Sequence, residues 1–169
     1  MVQHATTDSL LVPETVVQPR TFAGLMSLYE SNYLRLQRLI PELQHIDGAA
    51  VSVVDQDLPL HLTVTERSRY TCTLHLTYLF DRKDEGAVTD RVGAALQAER
   101  WLADPDLTLR VYFDGRLAEV MSVAAEHRHR VLRHIAASHR EELDSRWRRN
   151  MMLNKWLDFL IDAGHQLGD

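Results

Sequence analysis

"LTLRVYFDGRLAEVMSV", residues 107–123, alternates apolar and polar side chains on both sides of Asp114-Gly115. A period of two marks a half-buried strand, and Asp-Gly between two such runs is a strong local hairpin signal. The expected turn is a two-residue type I′, with positive φ at Asp114 and Gly115. It sets Phe113 opposite Arg116, Val111 opposite Ala118 and Arg110 opposite Glu119. Leu109, Val111, Phe113, Ala118 and Val120 then share an apolar face. Thr108, Arg110, Tyr112, Leu117, Glu119 and Met121 share the other. A cross-strand Arg110–Glu119 ion pair is expected on that second face, worth about 0.2–1 kcal/mol. Asp114 becomes a structural turn residue rather than a chemical group.

The same period runs through "VSVVDQDLPLHLTVTERSRYTCTLHLTYLF", residues 51–80, which predicts a short strand and then a hairpin. With the turn centred on Ser68, Leu60, Leu62, Val64, Cys72, Leu74 and Leu76 share the apolar face. His61, Thr63, Thr65, Thr71, Thr73, His75 and Thr77 share the other, and His61 faces His75. A threonine-rich face suits a strand open to water.

Helical spacing brackets these strands. Thr21 is a plausible N-cap, and Leu25, Leu28, Tyr29, Asn32, Tyr33, Leu36 and Ile40 recur at helical intervals until Pro41. Leu143, Trp147, Asn150, Met151, Leu153, Trp156, Leu157, Leu160 and Ile161 mark a final helix, with Gly164 as its stop. Between the hairpins, residues 82–106 predict a short helical insertion carrying Val88, Val92, Ala95, Leu96 and Trp101, ended by Asp104-Pro105-Asp106. Residues 126–139 fit either one helix or an irregular crossing. Residues 1–18 show no period and suggest a flexible arm that docks through Leu10, Leu11 and Val12. The expected architecture is α+β. A meander of about five antiparallel strands is packed on one face by an N-terminal and a C-terminal helix, in a single domain over residues 19–169.

Length and composition fit one ordinary globular domain: 169 residues, 45% hydrophobic and 25% charged. A net charge of −5 argues against whole-surface attraction to nucleic acid or acidic lipid. No apolar run is long enough for a membrane span, and the first 20 residues lack the pattern of a signal peptide. The single cysteine, Cys72, excludes an internal disulfide and a Cys-rich zinc site, and a reducing cytoplasmic setting is expected.

Four segments in order resemble the YqiB-like family of proteobacterial proteins: "YESNYLRLQRLIPEL" (29–43), "ERSRYTCTL" (66–74), "LTLRVYFDGRLAEV" (107–120) and "DSRWRRNMMLNKWLDFLIDAGH" (144–165). The match touches Glu30, Asn32, Tyr33, Glu66, Arg67, Tyr70, Thr71, Arg110, Tyr112, Asp114, Glu119 and Val120. In the last helix it touches Asp144, Asn150, Trp156, Leu157, Gly164 and His165. The chain departs from the family at Phe113, where relatives carry histidine, and at Ser145-Arg146, where they carry Glu-Lys. The family's tyrosine- and proline-rich stretch before the last helix is replaced here by "RHIAASHR". The resemblance implies a small antiparallel sheet with helices, in a bacterial cytoplasm. It implies no activity.

The candidate ligand-binding set is Arg67, Tyr70, Arg110, Tyr112 and Glu119, which converge if the two hairpins are neighbours. Arginine there offers a fork of donors to a carboxylate or phosphate. The plainer alternative is a register device on a wet sheet face. Asn32 and Asn150 are candidate structural polar residues, since Asn150 lies on the apolar side of its helix and a buried amide needs partners. It is expected to bond a strand or loop backbone, or Glu30, Asn32 or Tyr33. A weaker candidate is the basic segment 126–149, with Arg128, Arg130, Arg133, Arg146, Arg148 and Arg149 poised for phosphates. No nucleic-acid motif accompanies it, and Arg–Glu pairs on a solvated helix explain it as well.

Nine histidines form no recognised metal motif, so neither metal nor cofactor is expected. No nucleophile or phosphate-loop motif is present. The sequence therefore points to a non-enzymatic protein that binds a partner protein or a small anionic ligand. An alternative is a small enzyme on a phosphorylated or carboxylated metabolite, with Arg67 and Arg110 as clamps and Glu119 as base. Homodimerisation through an edge strand or the arm is a further expectation.

Overall fold

The structure, a computed structural model, describes residues 20–81, 101–123 and 139–168. Helix α1 (Phe22–Leu39) is followed by strands β1 (Ala49–Ser52), β2 (Leu60–Arg67), β3 (Thr71–Asp81), β4 (Trp101–Tyr112) and β5 (Leu117–Val123). Helix α2 (His139–Asp162) closes the order. The strands form one open antiparallel sheet in sequence order, β1-β2-β3-β4-β5. This is the expected α+β meander between an N-terminal and a C-terminal helix. The expected arm over residues 1–18 lies outside the described residues, as do residues 126–138 and Val88, Val92, Ala95 and Leu96 of the expected insertion.

Local chemistry sets the helix ends. The Thr21 hydroxyl accepts from the Gly24 N–H at 3.0 Å, which satisfies one of the free donors of the first turn. The other end stops at Ile40, before Pro41, with the Ile40 N–H still bonded to the Leu36 carbonyl at 2.7 Å. Helix α2 ends in a Schellman motif. Gly164 has φ +91°, its N–H bonds the Ile161 carbonyl, and the His165 N–H bonds the Leu160 carbonyl at 3.0 Å.

The core lies between the sheet's apolar face and the helices. Leu60, Leu62, Leu74, Leu76, Leu107, Leu109 and Val111 meet Leu36, Leu39, Leu153, Leu157 and Leu160 there, all fully buried. The helices run parallel to each other, because Asn32 meets Asn150 while Arg35, further along α1, meets Asp158, further along α2. Their contact is a buried polar ladder. Arg35 clasps Asp158 through two bonds of 2.6 and 3.1 Å and also donates to the Ser31 hydroxyl. Asn154 donates to Ser31 Oγ and Asn32 Oδ1, and Asn32 donates to Asn150 Oδ1 at 3.2 Å.

Asn150 also reaches the sheet. Its Oδ1 accepts from the Val120 N–H at 3.0 Å, and its Nδ2 donates to the Arg146 carbonyl at 2.9 Å. Val120 is on β5, an outer strand, so α2 closes an edge that would otherwise hold a free donor.

Past Gly164 the chain turns back to the opposite edge. His165 Nδ1 meets the Ser52 hydroxyl at 3.0 Å, and Nε2 meets Asp57 Oδ2 at 3.1 Å. Tyr78 also donates to Asp57 at 2.5 Å, and the Leu167 N–H bonds the Leu39 carbonyl. Burial opposes the Asp57 charge, but bonds from Tyr78, the Leu58 N–H and His165 outweigh it and hold the carboxyl below its ordinary value.

Three sequence expectations are corrected. The first hairpin is offset by two residues: Leu62 faces Leu76 and Val64 faces Leu74. A bulge at Thr65 and a longer turn, closed by the Ser68 N–H on the Thr71 carbonyl, absorb the offset. An even shift keeps every leucine on its face, but His61 now faces Thr77 and His75 faces Thr63. From Leu109–Val120 to Tyr112–Leu117 the second hairpin has the expected register, with Arg110 opposite Glu119, but beyond Leu109 the ladder slips by one so that Thr108 faces Ser122, and the turn is not type I′. Its strands end at Tyr112 and Leu117, and the positive φ (52°) falls on Arg116. A four-residue loop places its left-handed residue at the last position, so Asp114 instead bonds the Gly115 N–H. Finally, residues 101–106 are strand rather than the end of a helix. Pro105 sits where the β3–β4 ladder slips, between Ala103–Leu79 and Asp106–Thr77, and there its missing N–H is tolerated.

Asn150→Ala strands the Val120 and Asn32 donors together. We expect a loss of about 2–4 kcal/mol in urea unfolding; a loss below about 0.5 kcal/mol would mean that water replaces the amide. Asp57 has a lowered pKa in the folded state. Its contribution is therefore present above the ordinary carboxylate range and disappears as pH falls through the folded value. Asp57→Asn should flatten the acid limb of stability against pH; an unchanged limb would remove Asp57 from acid unfolding.

Candidate functional site

The sheet's second face divides into two environments, and the Thr65 bulge makes the division. Beyond the bulge, Glu66 joins Thr73 and Arg110 on the open face, while Arg67 falls opposite Cys72. Arg110 Nη2 bonds Glu66 at 2.8 Å, and Arg110 Nε bonds the Thr73 hydroxyl at 3.3 Å. The expected Arg110–Glu119 ion pair is thus replaced by Arg110–Glu66, although the two residues remain register partners. Arg67 donates to the Gln44 and Ile46 carbonyls and lies 5.8 Å from the Phe113 ring centre, so it staples the loop after α1. Tyr70 is exposed in the hairpin turn beneath Arg69. Arg67 and Tyr70 do not converge with the rest of the candidate set, and Arg110, although it lies beside Tyr112 and Glu119, is bonded to Glu66.

Tyr112 and Glu119 do converge, on a groove between the N-terminal part of α1, the start of α2 and the β4–β5 hairpin. Phe22, Leu25, Met26, Leu117 and Leu143 supply its apolar lining, and this open groove has a volume of about 490 Å³. That volume suits a small ligand or an inserted side chain. Glu119 is 9% exposed, because it sits on the edge strand against which both helices rest. Its carboxylate accepts from the Tyr112 hydroxyl at 2.8 Å and faces Arg146 Nη1 at 3.5 Å. Arg146 Nε is taken by Glu142 at 2.7 Å.

Tyr29 supplies the unusual feature. It is 5% exposed, and its hydroxyl has no partner in hydrogen-bonding geometry among the described residues. Glu119 and Arg146 lie at the margin of hydrogen-bonding reach and act on it through their charges as well. Burial first, and then the Glu119 charge, push its pKa up to about 12. Burial and the Glu119 bond also raise Tyr112. Both phenols therefore stay protonated, and Tyr112 acts as a donor. The bond with Glu142 holds Arg146 charged and Glu142 ionised. Among the described residues, two carboxylates and one guanidinium line the groove, so its local balance is negative.

The other candidates fall elsewhere. Asn32 and Asn150 form the helix ladder, and Asp114 sits in the hairpin loop. Of the basic segment, Arg128, Arg130 and Arg133 lie outside the described residues. Arg146 turns into the groove, Arg149 bonds the Ser145 hydroxyl at 2.7 Å, and Arg148 is exposed. No three or more His, Cys, Asp or Glu are grouped to hold a metal among the described residues. Burial raises the Cys72 thiol on the core face. Tyr29 and the Arg146–Glu119 contact were missed in the sequence. Tyr29 carried only a helical-period signal and Arg146 only its place in the basic segment, and neither reveals a partner on β5.

An α+β protein with a tyrosine-lined groove at the junction of helices and edge strand is the class that fold and site define. The chain belongs to the family described as protein of unknown function DUF1249, whose model matches residues 35–166. Tyr112, Glu119 and Arg146 fall inside that match, and Tyr29 precedes it. Comparison with curated proteins and with solved structures gives no match. No helix among the described residues is long and apolar enough to cross a membrane.

The two tyrosines predict opposite results. Tyr112→Phe removes a charged hydrogen bond and should cost about 1–2 kcal/mol. Tyr29→Phe removes a buried hydroxyl that has no partner, and should leave stability within about 0.5 kcal/mol of the parent or raise it. Urea titration distinguishes them; equal losses would show that the Tyr29 hydroxyl is bonded in solution.

Proposed function

We propose that this is a non-enzymatic binding protein whose groove takes an apolar group with a hydrogen-bonding or cationic head, offered by a partner protein. The observation that carries the reading is the Tyr29 hydroxyl, buried beside Glu119 and Arg146 without a hydrogen bond of good geometry, in a groove whose apolar lining comes from both helices and β5. A buried polar group left unpaired costs free energy that an occupant's polar atom returns. The excess of carboxylate in the lining favours a neutral or cationic head over the anionic ligand expected from sequence. Arg67 and Arg110, the intended anion clamps, are committed elsewhere. Among the described residues, no serine, cysteine, histidine or lysine lines the groove. Its phenols are held protonated, which argues for binding rather than bond-breaking. The resemblance to the YqiB-like family supports a bacterial cytoplasmic setting for this partner.

Benzylammonium and benzoate, which share a ring and differ in the sign of the head, test the reading by amide chemical shifts. Benzylammonium should perturb Leu25, Met26 and Leu117, and Tyr29→Phe should weaken it about fivefold, the equivalent of one hydrogen bond. Tighter binding of benzoate, or no perturbation by either at about 10 mM, would remove the proposed groove chemistry.

A further inference from the structure

The two edges of the sheet are finished differently. At β5 the amide of Asn150 takes up the outward Val120 N–H. At β1 the Val64 N–H donates to the Gly48 carbonyl at 2.7 Å, so alternate residues from Gly48 turn their backbone groups toward β2. Ala49 and Val51 therefore turn theirs outward. No described residue pairs with that side, since β2 is the only described strand hydrogen-bonded to β1.

The side chains do not guard this edge either. Residues 49–54 read Ala-Ala-Val-Ser-Val-Val, without proline, lysine or any charge. Val51 is 53% exposed and Val53 73% exposed. Proteins usually blunt an edge strand with charge, proline or a bulge, and an unblunted β-branched edge is a template for another strand. Charge enters only at the two ends. Asp47 and Asp55 are exposed, and neither makes an ion pair with a described residue.

We infer that the β1 edge is a strand-addition site for an extended segment of a partner protein, with a β-branched centre and a basic residue at each end. Main-chain bonds to Ala49 and Val51 give the pairing, Val51 and Val53 cover the partner's apolar side chains, and Asp47 and Asp55 select its flanks. A second copy of this chain fits less well. The antiparallel register that overlaps all of residues 49–53 sets Asp47 against the Asp55 of the other copy, twice by symmetry, and like charges directly opposed are destabilising. This site is independent of the groove, which lies against the opposite edge of the sheet.

The probe is a labelled nine-residue peptide, Lys-Thr-Val-Thr-Val-Thr-Val-Thr-Lys, whose lysines fall opposite Asp47 and Asp55, titrated into the full chain and followed by fluorescence anisotropy and amide exchange. It should bind and slow exchange at the Ala49 and Val51 amides. The same peptide with glutamate at both ends should bind at least about tenfold more weakly. Val51→Pro removes an outward donor and spares the bonds to β2, and should abolish binding without changing the melting temperature. Val51→Lys is the second variant, should Val51→Pro misfold. Equal binding of the basic and acidic peptides, binding unaffected in Val51→Lys, or no binding of the basic peptide at about 1 mM would overturn the inference. So would a homodimer by sedimentation that Val51→Lys dissociates.

Discussion

The Asn150 side-chain oxygen accepts from the Val120 N–H of β5 and from the Asn32 amide of α1. Three elements meet at that atom, and none of their donors can turn to water, since Asn32 and Asn150 are fully buried and Val120 nearly so. Leucines alone would let two parallel helices slide by a turn with modest loss. A ladder of Ser31, Asn32, Arg35, Asn154 and Asp158 does not, because a one-turn slip would strand several donors. The groove inherits its shape from this constraint. Tyr29 lies one turn before Asn32 and Arg146 one turn before Asn150, so the contact that sets the helix register also sets the two residues against Glu119.

The architecture was legible because its signals are local or repeated. Thr21, Pro41 and Gly164 mark helix ends through backbone rules that need no tertiary knowledge, and all three act as expected. The Arg110–Glu119 register survived a wrong turn type, because apolar alternation on both strands fixes the pairing more firmly than the loop does. Alternation cannot reveal one extra residue. The bulge at Thr65 leaves the leucine pattern before it intact and re-aims only the residues after it, Glu66 and Arg67. Pro105 misled in a related way: proline argues against a central strand, and the ladder accepts it only where it slips.

The site was less legible, for the reason that its residues come from four elements. Tyr112 and Glu119 were singled out on the hairpin. Their partners are helical residues whose azimuth depends on how α1 and α2 cross β5, and no spacing within one element contains that angle. The arginines mattered, but exchanged roles. Arg67 and Arg110 went to structural bonds, while Arg146, counted only within a basic segment, became the groove's cation.

The separation in sequence between the ladder's two sides has a consequence for how the molecule comes to be. Asn32 and Asn150 are 118 residues apart, and Arg35 and Asp158 are 123 apart. Such contacts are the slowest to form, because the intervening chain must already be ordered before they return anything. During synthesis the meander can assemble strand by strand as it leaves the ribosome. Helix α1 meanwhile holds a polar stripe with no partner, and β5 holds an open edge. The edge waits for Asn150, the stripe waits for Asp158, and Leu39 waits for Leu167. The sheet can therefore form before the domain closes. The interval between the two is the time in which a chaperone would find most to hold.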